Sequence, residues 1–124
     1  MYEKRVLLKL EKYIDDFKRG VTELLVLHML CESDKYGYEI THAFEDLSNG
    51  KYTMAEGTLY PILYKLEDAG YISSYSVKVG VRRMRKFYHI EKMGKQRYEA
   101  MLRDYLMISG VIRCILGLEG KTNE

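Results

Sequence analysis

Apolar residues recur at steps of three and four over residues 4–18, where Leu7, Leu10, Ile14 and Phe17 make a narrow stripe on an otherwise charged segment. A stripe this narrow predicts a helix whose apolar edge meets another helix instead of being buried inside one domain. Arg19-Gly20 ends it. A second helix is expected from about Thr22, with Leu24, Leu25, Leu27, His28, Met29, Leu30 and Cys31 making it apolar nearly all round, the centre of the core. After the polar break Glu32-Ser-Asp-Lys35, a third helix runs from Tyr36 through Ile40, Phe44 and Leu47 to the turn residues Ser48-Asn-Gly50. A fourth, within Glu56 to Gly70, sets Leu59, Ile62, Leu63 and Leu66 on one face and stops at the glycine.

That fourth helix holds the chain's only proline, Pro61. A start at Thr53 would press the proline ring on the carbonyl of Gly57 and bend the axis. A start near Gly57 or Thr58 would put Pro61 at or just past the first turn, where a missing donor costs little.

The pattern then changes. Residues 71–79 and 85–90 are rich in β-branched and aromatic residues with polar ones between them, which predicts two strands joined through Gly80 to Met84. From about residue 94 to 117 a long helix returns, with Tyr98, Met101, Tyr105, Ile108, Ile112 and Ile115 spaced close to a heptad seam. Such a seam calls for a partner helix.

A length of 124 residues, 47% hydrophobic and 31% charged, fits one domain with an extra helix at each end and a packed core. No apolar run approaches the ~18 residues of a membrane span, and no signal-peptide pattern opens the chain, so a soluble, cytoplasmic protein is expected. Cys31 and Cys114 lie far apart and suggest no disulfide framework. The net charge of +2 conceals a strong division: Tyr71 to Tyr98 holds eight basic residues and one acidic one, a balance of +7, against −5 elsewhere. Localised positive charge suits a polyanion-binding face, although a solvated hairpin would also carry it.

Three helices followed by a hairpin with a basic tip is the order of a winged helix-turn-helix, in which the third helix enters the DNA major groove and the hairpin flanks it. The fold expected is mainly α with a small β-hairpin, with additional N- and C-terminal dimerisation helices. The expected divisions are 1–18 (N-terminal helix), 19–92 (winged helix-turn-helix) and 93–124 (C-terminal helix and tail). On the fourth helix, Thr58, Tyr60, Pro61, Tyr64 and Lys65 turn away from the apolar face and could meet phosphates and base edges. Tyr64 could equally pack on the hairpin, and Lys65 could be an ordinary solvated lysine. Arg82, Arg83, Arg85 and Lys86 could neutralise phosphates or enter the minor groove.

Catalytic chemistry finds less support. His28 and Cys31 share a helix face but have no second pair at zinc-site spacing, and their apolar surroundings suit a core histidine and a core thiol better. His42 and His89 have no nearby nucleophile with an orienting carboxylate, and the glycines form no phosphate loop. Neither enzyme activity nor a metal or other cofactor is expected. A protein-interaction module, whose heptad-like helices bind a different partner, is the alternative to DNA binding.

The combination of Tyr36-Gly-Tyr-Glu-Ile40, Glu56-Gly-Thr-Leu-Tyr-Pro-Ile-Leu-Tyr-Lys-Leu-Glu-Asp-Ala-Gly-Tyr-Ile72, and Arg82-Arg83 leading through Arg85-Lys-Phe-Tyr88 to Gly94 resembles the PadR family of bacterial transcriptional regulators. The resemblance runs from about Arg19 to Gly94, and the single long C-terminal helix looks like the small subgroup. It implies a homodimeric repressor that binds palindromic operator DNA and is released by a small molecule. By position it implies Thr58, Tyr60 and Lys65 on the recognition helix, Tyr36 at the DNA backbone, and Arg82 and Arg83 on the wing. The interface implied buries Leu7, Leu10, Ile14, Phe17, Met101, Tyr105, Ile108 and Ile112. Drug-sensing small members hold flat aromatic ligands at the dimer interface with a tryptophan; this chain has none, and Tyr105 falls at that position. Glu91 stands where members commonly open the last helix with threonine, a better N-cap.

Overall fold

The computed structural model describes residues 13–118, and Leu7 and Leu10 of the expected N-terminal stripe lie outside that range. Residues 13–18 are helical, and there Ile14 and Phe17 are 50% and 79% exposed, so these two residues of the stripe are not buried in this chain. Four helices and three strands follow: α1 (Thr22–Glu32), β1 (Lys35–Tyr36), α2 (Gly37–Leu47), α3 (Glu56–Asp68), β2 (Ile72–Lys78), β3 (Met84–Ile90) and α4 (Lys92–Ile115). The fold is a winged helix.

Helix α1 is the hub that its sequence predicts. Val26, Leu27 and Leu30 are essentially inaccessible and pack with Ile40 and Phe44 of α2, Leu59, Leu63 and Leu66 of α3, Ile72 of β2, and Tyr88 and Ile90 of β3. At its start Thr22 donates from Oγ1 to the Lys18 carbonyl (2.8 Å), and the same hydroxyl meets the Tyr52 hydroxyl at 2.5 Å. The apolar wrap is narrower than expected, however. Cys31 is exposed, not a core thiol, and His28 is half-buried with Nδ1 2.7 Å from the Tyr98 hydroxyl of α4. Leu47 is also outside the core, 70% exposed at the last turn of α2. Cys31 and Leu47 are positions where helical spacing counts a residue as inward although no neighbouring element buries it.

The ends of the helices follow local chemistry. Helix α2 closes through Asn49 and Gly50, both at positive φ, with the Gly50 amide donating to the Glu45 carbonyl at 2.8 Å. Gly70 (φ 85°) ends α3, and the amide of Tyr71 donates back to the Leu66 carbonyl at 3.0 Å. Pro61 is the sixth residue of α3, which has Ala55 at its N-cap. The helix thus starts between the two predicted positions, and Pro61 stands in the second turn, where the helical donor to the Gly57 carbonyl is missing.

The sheet is antiparallel in the order β1-β3-β2. Strands β2 and β3 pair from Ile72 opposite Ile90 to Lys78 opposite Met84, so Met84 belongs to the strand and not to the connection. The short strand β1 is not legible as one: Lys35, the last residue of the polar break, and Tyr36, where the third helix is expected to begin, pair with Tyr88 and Phe87. Helix α4 begins at Lys92, two residues before the expected start. Glu91 occupies its N-cap without capping it, because its Oε2 accepts from the Ser73 hydroxyl at 2.5 Å instead. Gly94 is the one buried residue of α4. A side chain there would collide with the carbonyl oxygen of Tyr71, so glycine lets the start of α4 lie against the turn that ends α3.

Candidate nucleic-acid interface

The two faces of α3 divide cleanly. Leu59, Leu63 and Leu66 are at most 3% exposed, and Ile62 is partly buried beside them. Thr58, Pro61, Tyr64 and Lys65 lie in solvent on the other side. Tyr64 is 71% exposed, so it does not pack under the hairpin. Tyr60 is different, because its ring leans back onto the first turn of α2. A Cβ built on Gly37 would lie 2.5 Å from its hydroxyl oxygen. Burial first, and Glu56 second, raise the pKa of the Tyr60 phenol, which keeps it protonated as a donor.

Tyr36 joins helix and sheet. Its amide donates to Glu39 Oε1 at 3.1 Å and so occupies one of the unpaired donors at the start of α2. Its ring meets Phe87 edge-on, and the guanidinium of Arg85 sits 4.1 Å above it. Phe87 in turn stacks on Tyr75 of β2. The strand alternation puts Arg85 on this outer aromatic face and Lys86 on the opposite one, with its ammonium 5.6 Å from the Tyr88 ring centroid. Two of the four predicted wing cations are therefore settled on aromatic rings. Arg82 and Arg83 are exposed at the tip, which the Val79 amide closes by donating to the Arg83 carbonyl at 2.9 Å. Among the described residues none of these four cations forms an ion pair.

A clamp that sequence reading missed lies at the base of the wing. Asp34 accepts from the Tyr75 hydroxyl (2.6 Å) and contacts His89 Nδ1 (2.8 Å), tying β2 and β3 to the residue before β1. The hydrogen bonds from Tyr75 and then His89 hold the Asp34 carboxyl below its ordinary pKa. Asp34 lies 41 residues from Tyr75 and 55 from His89, and no local pattern announces contacts of that range.

The outer half of α4 is apolar and bare: Tyr105, Ile108 and Ile112 are 42%, 47% and 48% exposed. Met101 is partly buried against the core of its own chain. With Phe17 and Leu24, these four residues line a groove of about 830 Å³. A smaller cavity of about 430 Å³ lies beside it, where His28, Tyr52 and Tyr98 join Leu24 and Tyr105. No group of His, Cys, Asp and Glu among the described residues is arranged to hold a metal ion, and no described helix is long and apolar enough to cross a membrane.

A winged helix with a polar outer face on its third helix and uncommitted arginines at its hairpin tip belongs, by architecture, among the transcriptional regulators built on this fold. The chain is a member of the transcriptional regulator PadR-like family, whose model matches residues 26–100. Members are regulators and not enzymes, and the enzyme reading is set aside on that ground. The transcriptional regulator Rv3488 of Mycobacterium tuberculosis is 29% identical over 107 residues, covering 86% of this chain and 94% of that one. A transcriptional regulator from Clostridium thermocellum has a similar structure, with a TM-score of 0.75 and 32% identity over 79% of this chain and 95% of that one. The PadR protein of Bacillus subtilis, solved in complex with operator DNA, has a TM-score of 0.62 and 28% identity over 66% of this chain and 46% of its own.

Proposed function

We propose that the protein is a cytoplasmic homodimeric repressor that binds a palindromic operator in double-stranded DNA and is released by a small aromatic effector. The observation that carries the reading is the outer face of α3, with Thr58, Pro61, Tyr64 and Lys65 in solvent while Leu59, Leu63 and Leu66 hold the helix to the core. In this reading α3 enters the major groove, Lys65 and the hydroxyls of Thr58, Tyr60 and Tyr64 meet phosphates and base edges, and Pro61 limits how the entering end is presented. Tyr36 meets the backbone at the start of α2. Arg82 and Arg83 neutralise phosphates along the wing, while Arg85 and Lys86 add positive potential from their aromatic seats. Binding of operator DNA by the Bacillus subtilis relative supports this assignment.

The dimer brings together the N-terminal helix, through Leu7, Leu10, Ile14 and Phe17, and α4, through Met101, Tyr105, Ile108 and Ile112. Exposed apolar side chains at heptad-like spacing favour this arrangement, because a lone chain would leave them in water. Two-fold symmetry then places two recognition helices about one DNA turn apart. The effector occupies the groove beside Tyr105.

Mapping the protected DNA upstream of the protein's own coding region tests the whole reading. A symmetric protected site, lost at high salt and on addition of a flat aromatic compound, is expected. Retention of a protein partner with no preferred DNA would replace it with an interaction module.

A further inference from the structure

The turn that ends α3 is tied to the start of α4 at one residue, Tyr71, from three directions. The amide of Tyr71 donates to the Leu66 carbonyl and closes α3, while its own carbonyl accepts from the Glu91 amide at 2.9 Å, immediately before α4 begins. That same carbonyl rests against Gly94, one turn into α4. The Tyr71 side chain is gripped by Arg97, whose guanidinium carbon lies 4.7 Å from the ring centroid and whose Nη1 donates to the phenol oxygen at 3.2 Å. Arg97 Nε donates in turn to Glu23 Oε2 on α1. One planar cation therefore touches the core helix, the end of α3 and the start of α4 at once, a combination that a lysine ammonium cannot reproduce.

The exposed apolar seam of α4 begins at Tyr105, eight residues beyond Arg97, about two helical turns and ~12 Å further on. A small rotation of α4 about the Tyr71 junction displaces that seam, and with it any partner subunit, relative to α3. We infer that Arg97 is a positioning residue that sets the angle between α3 and the dimer-forming part of α4, and so the separation of half-sites that the dimer accepts. The inference rests on the proposed dimeric operator binding.

Fluorescence anisotropy tests it with the full chain and three duplexes: the protected operator, the same operator lengthened by one base pair between half-sites, and a single half-site. Wild type is expected to bind the lengthened operator at least ten-fold more weakly than the native one. Arg97→Met should lose about ten-fold on the native operator and lose much less again on the lengthened one, with half-site affinity and the dimer in sedimentation unchanged. Arg97→Lys should fall between, since the charge opposite Glu23 remains while the stacked fork is lost. Equal weakening on operator and half-site, dissociation of the dimer, or spacing discrimination like that of wild type would each overturn the inference. Wild type that binds no operator would remove the proposed function as well, which distinguishes the two failures.

Discussion

The hydroxyl of Tyr60 fills the space above Gly37: a methyl group at position 37 would sit 2.5 Å from that oxygen. The two helices of the helix-turn-helix thus meet where one residue has no side chain and the other brings a phenol. Because the obstructing atom is the far end of a movable ring, Gly37→Ala is expected to change stability by less than about 1 kcal/mol, with the gain in helix propensity offsetting part of the crowding. It should still weaken operator binding several-fold by turning Tyr60 outward. Urea denaturation and operator titration on one preparation check both halves.

Gly94 makes the contrasting case. Its neighbour is the Tyr71 carbonyl, which is backbone and already accepts from the Glu91 amide, so it has nowhere to retreat. Gly94→Ala should cost about 1–3 kcal/mol in urea unfolding, the usual range for overpacking, although alanine is the better helix former. An unchanged midpoint would mean that the junction yields more readily than its geometry implies.

At the wing tip, Arg82→Ala with Arg83→Ala should leave unfolding within about 0.5 kcal/mol of wild type, since both side chains are exposed and unpaired among the described residues. Binding to every DNA sequence should weaken together. If both arginines neutralise phosphates, the slope of log affinity against log salt should flatten by roughly 1.8 per half-site. A slope that stays the same would remove the wing from the polyanion contact.

Asp34 gives a pH dependence with a defined sign. Its folded-state pKa is lowered by the bonds from Tyr75 and His89, so the stability it contributes is present above its unfolded value of about 3.9 and is lost as pH falls through the folded value. Asp34→Asn should therefore destabilise at pH 7, and the gap from wild type should close as pH falls below about 4. Thermal unfolding of the two proteins across that range measures the closure; a gap independent of pH would assign the loss to packing instead.

Which parts of this molecule the sequence disclosed follows from the range of the forces involved. The alternation of Leu59, Leu63 and Leu66 with exposed residues is local, so the faces of α3 were readable, as were the hairpin and its basic tip. Cys31 and Leu47 were misjudged because spacing tells which way a residue points on a helix and nothing about what covers it. Strand β1 escaped notice because its pairing is with Phe87 and Tyr88, some fifty residues away, while its own composition is polar. The Asp34 clamp and the seat of Tyr60 on Gly37 escaped for the same reason. Glu91 was rightly a poor cap, but its use by Ser73 depends on a strand that only the fold brings alongside.

The ladder of β2 and β3 is fastened at one end by Ile72 opposite Ile90, both buried, and runs out into water at the other with Lys78 opposite Met84. The residues between those last two make no part of the core. Exchanging one of them costs the packed helices almost nothing, so the hairpin tip can be revised independently of the rest. Over generations the strength of a polyanion grip can thus drift up or down, one charge at a time, in a lineage whose folded body stays the same.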